Sequence, residues 1–235
     1  ADMINFYDKE NNFIEPLAAK KHPVGDYLSL IAKLFSANFV IPFSSFHEYQ
    51  REDSVWANRY VTPLEEYKNG IHQDITFVEP FAFINSEKDG DITSLPLKKK
   101  KLLVKKAEDF KDNWSDILQI DDKKIVKEYF DKFEELQDKI GFINFLVGKK
   151  DFNLKMKGPI ERGITFELPR NSLVEACKYS IFDDLLIGNF MKTQLHNLSS
   201  LYDPAINFNN IVPKYGDNGL AYTKNELITY EKEYA

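Results

Sequence analysis

The stretch Asp26-Tyr27-Leu28-Ser29-Leu30-Ile31-Ala32-Lys33-Leu34-Phe35-Ser36-Ala37-Asn38-Phe39-Val40-Ile41-Pro42-Phe43 decides the fold class. Its apolar positions Leu28, Ile31, Leu34 and Phe35 recur at helical spacing, and Asp26 is of a type that caps a helix start. Ser36-Ala37-Asn38 ends the helix. The run from Phe39 to Phe43 is β-branched and aromatic, as a buried strand is, and Pro42 confines it to a strand end or edge. Helix, short loop and buried strand form the unit of a layered α/β fold.

Upstream, Asp8-Lys9-Glu10-Asn11-Asn12 reads as a turn, because Asp and Asn bond their own backbone. Downstream, residues 44–69 are polar and aromatic with little periodicity, and Thr62-Pro63 starts a short helix. Ile75–Val78 and Phe81–Ile84 read as strand pieces broken by Pro80, followed by a polar turn over 85–90. Lys98 to Lys101 with Lys105 and Lys106 form a dense basic run. It is either a patch for an anionic ligand or membrane surface, or a solvated helix start balanced by Glu108, Asp109, Asp112 and Asp116.

A strong helix follows, capped by Asp121 or Asp122, with Ile125, Val126, Tyr129, Phe130, Phe133, Leu136 and Ile140 on one face. The period then changes. Phe142–Val147, Phe152–Met156 and Ile164–Leu168 read as an antiparallel meander. Two helices come next, one capped by Asn171 or Ser172 and one over Ile181–Leu186. His196 falls in a predicted helix, residues 203–219 in a surface loop with a turn at Asp217-Asn218-Gly219, and residues 225–230 in a short terminal helix. The predicted organisation is an α/β layered portion over residues 1–120 and an α+β C-terminal domain over 121–235.

Composition narrows the function classes. The 235 residues suffice for one or two domains with cores of their own. Lys+Arg 31 against Asp+Glu 37 gives a net charge of −6, which argues against a dedicated nucleic-acid binder. A single cysteine rules out a disulfide framework. No apolar run approaches the roughly 20 residues of a membrane span, and the first residues lack the basic start and apolar stretch of a signal peptide. The expected location is the cytoplasm. The chain starts on Ala1 without an initiator Met and runs straight into apolar sequence, so it reads as a fragment or processed product.

The densest polar-aromatic loop is Ser44-Ser45-Phe46-His47-Glu48-Tyr49-Gln50-Arg51-Glu52-Asp53-Ser54-Val55-Trp56-Ala57-Asn58-Arg59. Ligand sites of open α/β layers gather at the carboxyl ends of strands, and this loop leaves such an end. His47 can bind a divalent metal or exchange a proton near neutral pH, or it can simply pair with a carboxylate on an ordinary loop. His22, His72 and His196 read as turn, loop and packing residues, and no two histidines stand at metal-clamp spacing. The ten glycines are dispersed, so there is no phosphate loop, and no Gly-x-Ser-x-Gly elbow is present. Cys177, on an apolar helix face, reads as a small core residue. Asp183-Asp184 caps or flanks a helix rather than forming a carboxylate pair.

The helix from Asp26 to Phe35, the run Asn38–Phe43 and the following His47 together resemble the late part of metallo-β-lactamase-fold hydrolases, in the branch of the CMP-N-acetylneuraminate hydroxylase-like proteins. The segments Ile164–Pro169 and Asp183–Phe190 are similar to the C-terminal continuation of some of these, and also to sterol-carrier-like modules. The resemblance implies a bound divalent metal (zinc, iron or manganese) with His47 as one ligand. It implies metal-bound hydroxide attacking a polarised bond of a small anionic substrate. Arg51 and Arg59 would hold the anionic group, with Tyr49 beside them. The family's His-x-His-x-Asp-His motif is absent here, so the remaining ligands are expected on an N-terminal segment or chain that completes the fold. The competing expectation is a non-enzymatic binding or assembly module with an apolar ligand groove in the C-terminal domain.

Overall fold

The computed structural model describes residues 3–16, 23–43, 47–85, 91–95 and 101–216, together with Thr223, Asn225, Ile228 and Lys232. It is a mixed α/β protein with a five-stranded mixed sheet and several helices. Residues 86–90 of the first predicted polar turn, the predicted turn at 217–219, His22, Lys98 to Lys100 and most of the terminal helix lie outside the described residues, while Asn85 ends a strand.

The chain folds as two compact units: Pro16–Gln50 with Val55–Val104, and Asp2–Glu15 with Arg51–Ser54 and Lys105–Ala235. Residues 105–120 and the N-terminal segment thus group with the second unit. Three long-range contacts tie them to it. The N-terminal strand pairs with a late strand, Asp112 is buried against Ser172, and Leu118 joins the core of the second unit.

The first unit holds α1 (Val24–Leu34), the parallel pair β2 (Phe39–Val40) and β3 (Thr76–Phe77), and the antiparallel hairpin β4 (Ala82–Asn85) and β5 (Asp91–Ser94). Two 3₁₀ helices, Val55–Tyr60 and Leu64–Lys68, complete it. Pro23, not Asp26, stands at the N-cap of α1.

In the second unit the sheet runs β1 (Phe6–Tyr7), β9 (Lys192–His196), β8 (Gly163–Glu167), β6 (Phe142–Val147), β7 (Lys150–Lys155) in spatial order. The helices are α2 (Ile120–Asp131), α3 (Glu134–Gln137), α4 (Arg170–Tyr179), α5 (Phe182–Gly188) and α6 (Phe208–Lys214). Strands β6 and β7 form the predicted hairpin, but β8 lies parallel to β6 on its other side, so the three are not a meander. The connection from β7 must cross the start of β6, where Gly141 accepts the Met156 amide and donates to Arg162. A Cβ on Gly141 would run into the Pro159 carbonyl, so only glycine leaves room for the crossing.

Alternation along the strands puts Ile143, Phe145, Val147, Ile164, Phe166 and Leu195 on one face, all buried against helices. The predicted apolar face of the long helix is buried as expected, from Val126 to Ile140, with Ile125 at its margin. The helix itself breaks at Phe133, whose backbone leaves the helical region (φ −84°, ψ 65°) while its ring packs on Tyr129, Phe130 and Tyr215.

Asp122 illustrates how the helix starts are joined. Its carboxylate accepts the Gln119 amide at 2.7 Å and two Arg170 bonds at 2.6 and 2.9 Å. Burial opposes the charge, but the Arg170 and Gln119 hydrogen bonds outweigh it and hold the carboxyl below its ordinary value. A depressed folded pKa adds stability that is present above the unfolded value of about 4 and is lost as pH falls through the folded one. Asp122→Asn should thus cost about 1–2 kcal/mol at neutral pH, a figure already discounted for the half-exposed Arg170. The gap between the variant and the parent protein should close below about pH 4. Urea melts at several pH values read both; a gap that persists unchanged in acid would refute the assignment.

Candidate functional site

Helix α1 is inverted with respect to its own hydrophobicity. Its buried residues are the small ones, Gly25, Ser29 and Ala32, which lie on one side of the helix. The chain at 69–72 closes on that side: the Ser29 hydroxyl donates to the Gly70 carbonyl at 3.3 Å and accepts the His72 amide at 2.8 Å. A side chain at Gly25 would collide with the backbone of Asn69 and Ile71. The large apolar residues stand on the opposite side, with Tyr27 65%, Leu30 55%, Leu34 72% and Phe35 79% exposed.

Two expectations are corrected here. Leu34 and Phe35 are not core positions, and the stretch from Phe39 to Phe43 is not a buried strand. Only Phe39 and Val40 pair, with Thr76 and Phe77, while Phe39, Ile41 and Phe43 are exposed. The physical reason is the small-residue side of α1. It packs backbone-close on the 69–72 segment, so the large side chains fall on the side of α1 turned away from that segment, where they are exposed. Tyr27 and Leu30 are the residues that sequence reasoning missed. The signal available was Gly25, Ser29 and Ala32 at helical spacing, a pattern suited to close backbone approach.

The predicted ligand loop is described from His47 onward. His47 is exposed, with its ring edge-on to Tyr49 at 5.0 Å. Tyr49 is buried, and its backbone is clamped by Asn58, which accepts the Tyr49 amide at 2.7 Å and donates to its carbonyl at 2.9 Å. Arg59 is exposed and stacks over Tyr60 at 4.6 Å and Trp56 at 5.7 Å. His47 and Tyr49 are thus brought together. Among the described residues, no group of three His, Cys, Asp or Glu side chains is placed to hold a metal ion.

Arg51 belongs to the second unit. Its Nε and Nη2 donate to the two oxygens of Asp53 at 2.9 Å each, and Nη1 donates to Asp112 at 2.7 Å. The guanidinium lies over the Phe190 ring at 3.9 Å and the Phe110 ring at 5.1 Å. Burial opposes its charge, yet the hydrogen bonds to Asp53 and Asp112 prevail and raise its pKa. In this structure Arg51 joins three segments of its own unit.

The remaining candidates are structural in their surroundings. Burial pushes the Cys177 thiol up, in keeping with a core residue. His196 lies on β9, not on a helix, with Nε2 3.0 Å from the Thr165 hydroxyl and its ring 5.1 Å from Phe142; burial lowers its pKa. The C-terminal apolar residues pack on one another, Phe182 reaching Phe130 at 5.0 Å and Phe166 at 5.1 Å.

The fold thus defines a mixed α/β protein whose first unit turns large apolar side chains outward. Comparison with family models, with curated proteins and with solved structures gave no match.

Proposed function

We propose that this chain is a non-enzymatic binding and assembly module that docks through the outward side of α1. The supporting observation is the inversion of that helix: Tyr27, Leu30, Leu34 and Phe35 exposed, with Gly25, Ser29 and Ala32 inside. Contiguous exposed apolar surface of this kind marks an interaction site, because leaving it in water costs roughly 25 cal/mol per Å². A second copy of the chain satisfies the requirement, since the same stripe can meet itself about a two-fold axis. The hydrolase reading would need further metal ligands around His47.

The test is Leu30→Lys with Leu34→Lys in the full chain. Neither side chain supports the interior, so the variant should keep its circular dichroism spectrum. Sedimentation velocity should show concentration-dependent self-association of the parent protein and at least a tenfold weaker association of the double variant, since two desolvated lysines oppose docking. A monomeric parent, or association untouched by the variant, would remove the reading.

A further inference from the structure

Strand β7 is the last strand on its side of the sheet, and among the described residues β6 is its one strand neighbour. The turn that joins them, Gly148-Lys149, has positive φ at both residues, 59° and 62°. That is the two-residue hairpin turn that closes on a doubly hydrogen-bonded pair. The closing pair is Val147–Lys150, so bonded pairs recur at Phe145–Phe152 and Ile143–Leu154. Asp151, Asn153 and Lys155 therefore turn their N–H and C=O groups away from β6, toward the outside of the sheet. Their side chains are exposed, on the side of the sheet opposite to the one that buries Leu154.

An exposed edge of this kind usually carries charge that repels other strands. On β7 the charges have an order that singles out one partner. Turned through a two-fold axis at Asn153, a second β7 sets Asp151 opposite Lys155 twice, and Asn153 opposite Asn153. These are the outward-turned residues, as a doubly hydrogen-bonded antiparallel ladder requires. Between them Phe152 meets Leu154, which extends the apolar side on which both already pack. Centring the axis on Asp151 or on Lys155 would instead set like charges opposite each other, so charge selects the register. Asn144 Nδ2 donates to Asp151 Oδ1 at 2.8 Å, which orients that carboxylate and leaves Oδ2 to accept a lysine.

We infer that two copies of this chain join edge to edge through β7, antiparallel about Asn153, so that the sheet of one copy continues into that of the other. The contact is isologous, with the same strand contributed by both copies. It lies in the second unit and goes beyond docking through α1, which belongs to the first.

The experiment is disulfide trapping in the full chain carrying Leu30→Lys and Leu34→Lys, in which docking through α1 is suppressed. Residues facing each other in a bonded antiparallel pair have Cα atoms about 5.5 Å apart, within disulfide reach. Under mild oxidation Asn153→Cys should form a covalent dimer roughly tenfold faster than Lys124→Cys, an exposed position on α2. Cys177 is buried and does not compete. Adding Lys155→Asp faces Asp151 with aspartate twice in each pair and should slow trapping about tenfold. Adding Asp151→Lys as well exchanges the two charges, and the rate should return to within about twofold of that for Asn153→Cys alone. Trapping no faster than at Lys124, or unaffected by Lys155→Asp, overturns the inference, as does a charge-exchanged chain that stays slow. These outcomes leave the α1 reading untouched, because that reading is decided by comparing the parent with the Leu30→Lys, Leu34→Lys chain.

Discussion

Asp112→Ala is expected to cost about 3–5 kcal/mol of stability, in the range for breaking a buried charge network. The Asp112 side chain is fully buried. One oxygen accepts the Ser172 amide at 2.9 Å, and the other accepts the Ser172 hydroxyl at 2.6 Å and Arg51 Nη1 at 2.7 Å. The N-cap position of α4 is held by Pro169, which supplies no side-chain cap, so a carboxylate sixty residues before Ser172 caps the first turn. Its negative charge also faces the positive end of the helix dipole. Truncation therefore strips the cap from α4, takes an acceptor from the half-buried Ser172 hydroxyl and removes one of the two carboxylates that hold Arg51.

Arg51 keeps Asp53, which places the expected loss toward the lower end of that range. Asp112→Asn preserves size and one acceptor, and should lose less than alanine. A double-mutant cycle with Arg51→Met isolates the ionic part, with a coupling energy of about 1–3 kcal/mol. Denaturant melts of all four proteins measure it. A loss below about 1 kcal/mol for Asp112→Ala would place this group with weak surface pairs instead.

The second unit was the more legible in the sequence, for a definite reason. Apolar periodicity marks a stripe, and in the second unit every strong stripe is covered. Val126, Tyr129, Phe130 and Phe133 are buried as their spacing predicts, and so are Ile164 and Phe166. The same rule misled for α1, because spacing shows that Leu30 and Leu34 share a side without showing whether anything covers it. Strand alternation is equally silent about direction. The pattern of β8 is the same whether it runs parallel or antiparallel to β6, and the parallel pairing comes with a crossing for which a Cβ at Gly141 would leave no room.

Other misses have equally particular causes. Helix α6 escaped notice because Asn209, Asn210 and Pro213 mask its buried Phe208, Ile211 and Val212. Strand β1 is two residues long, below what periodicity can register. Arg51 looked like an open anion site because its partner Asp112 is 61 positions away. At the candidate site, the small-residue side of α1 was readable, whereas the exposure opposite it was not.

Phe182→Ala is the other change with a large expected effect, again about 3–5 kcal/mol. Phe182 opens α5 and is completely buried at the point where helices and sheet meet. Its ring lies 5.0 Å from Phe130, 5.1 Å from Phe166, 6.3 Å from Tyr129, 6.4 Å from Phe145 and 6.5 Å from Phe208. These partners come from α2, β6, β8 and α6, so one ring ties four elements to α5. The contacts to Phe130 and Phe166 are edge-to-face, which adds roughly 0.5–1.5 kcal/mol per pair beyond the area buried. Truncation leaves a void walled by rigid rings on several elements, so collapse around it is limited and the cavity penalty stays near its full value. Against a total stability of about 5–15 kcal/mol for a domain, the unit should lose a large share of its margin. Phe182→Leu keeps apolar contact, leaves a smaller void and should lose clearly less. The readouts are the denaturant midpoint and the near-ultraviolet circular dichroism of the clustered rings. A loss of under about 1.5 kcal/mol, or a near-ultraviolet spectrum like that of the parent protein, would mean that the cluster repacks and that Phe182 is not its keystone.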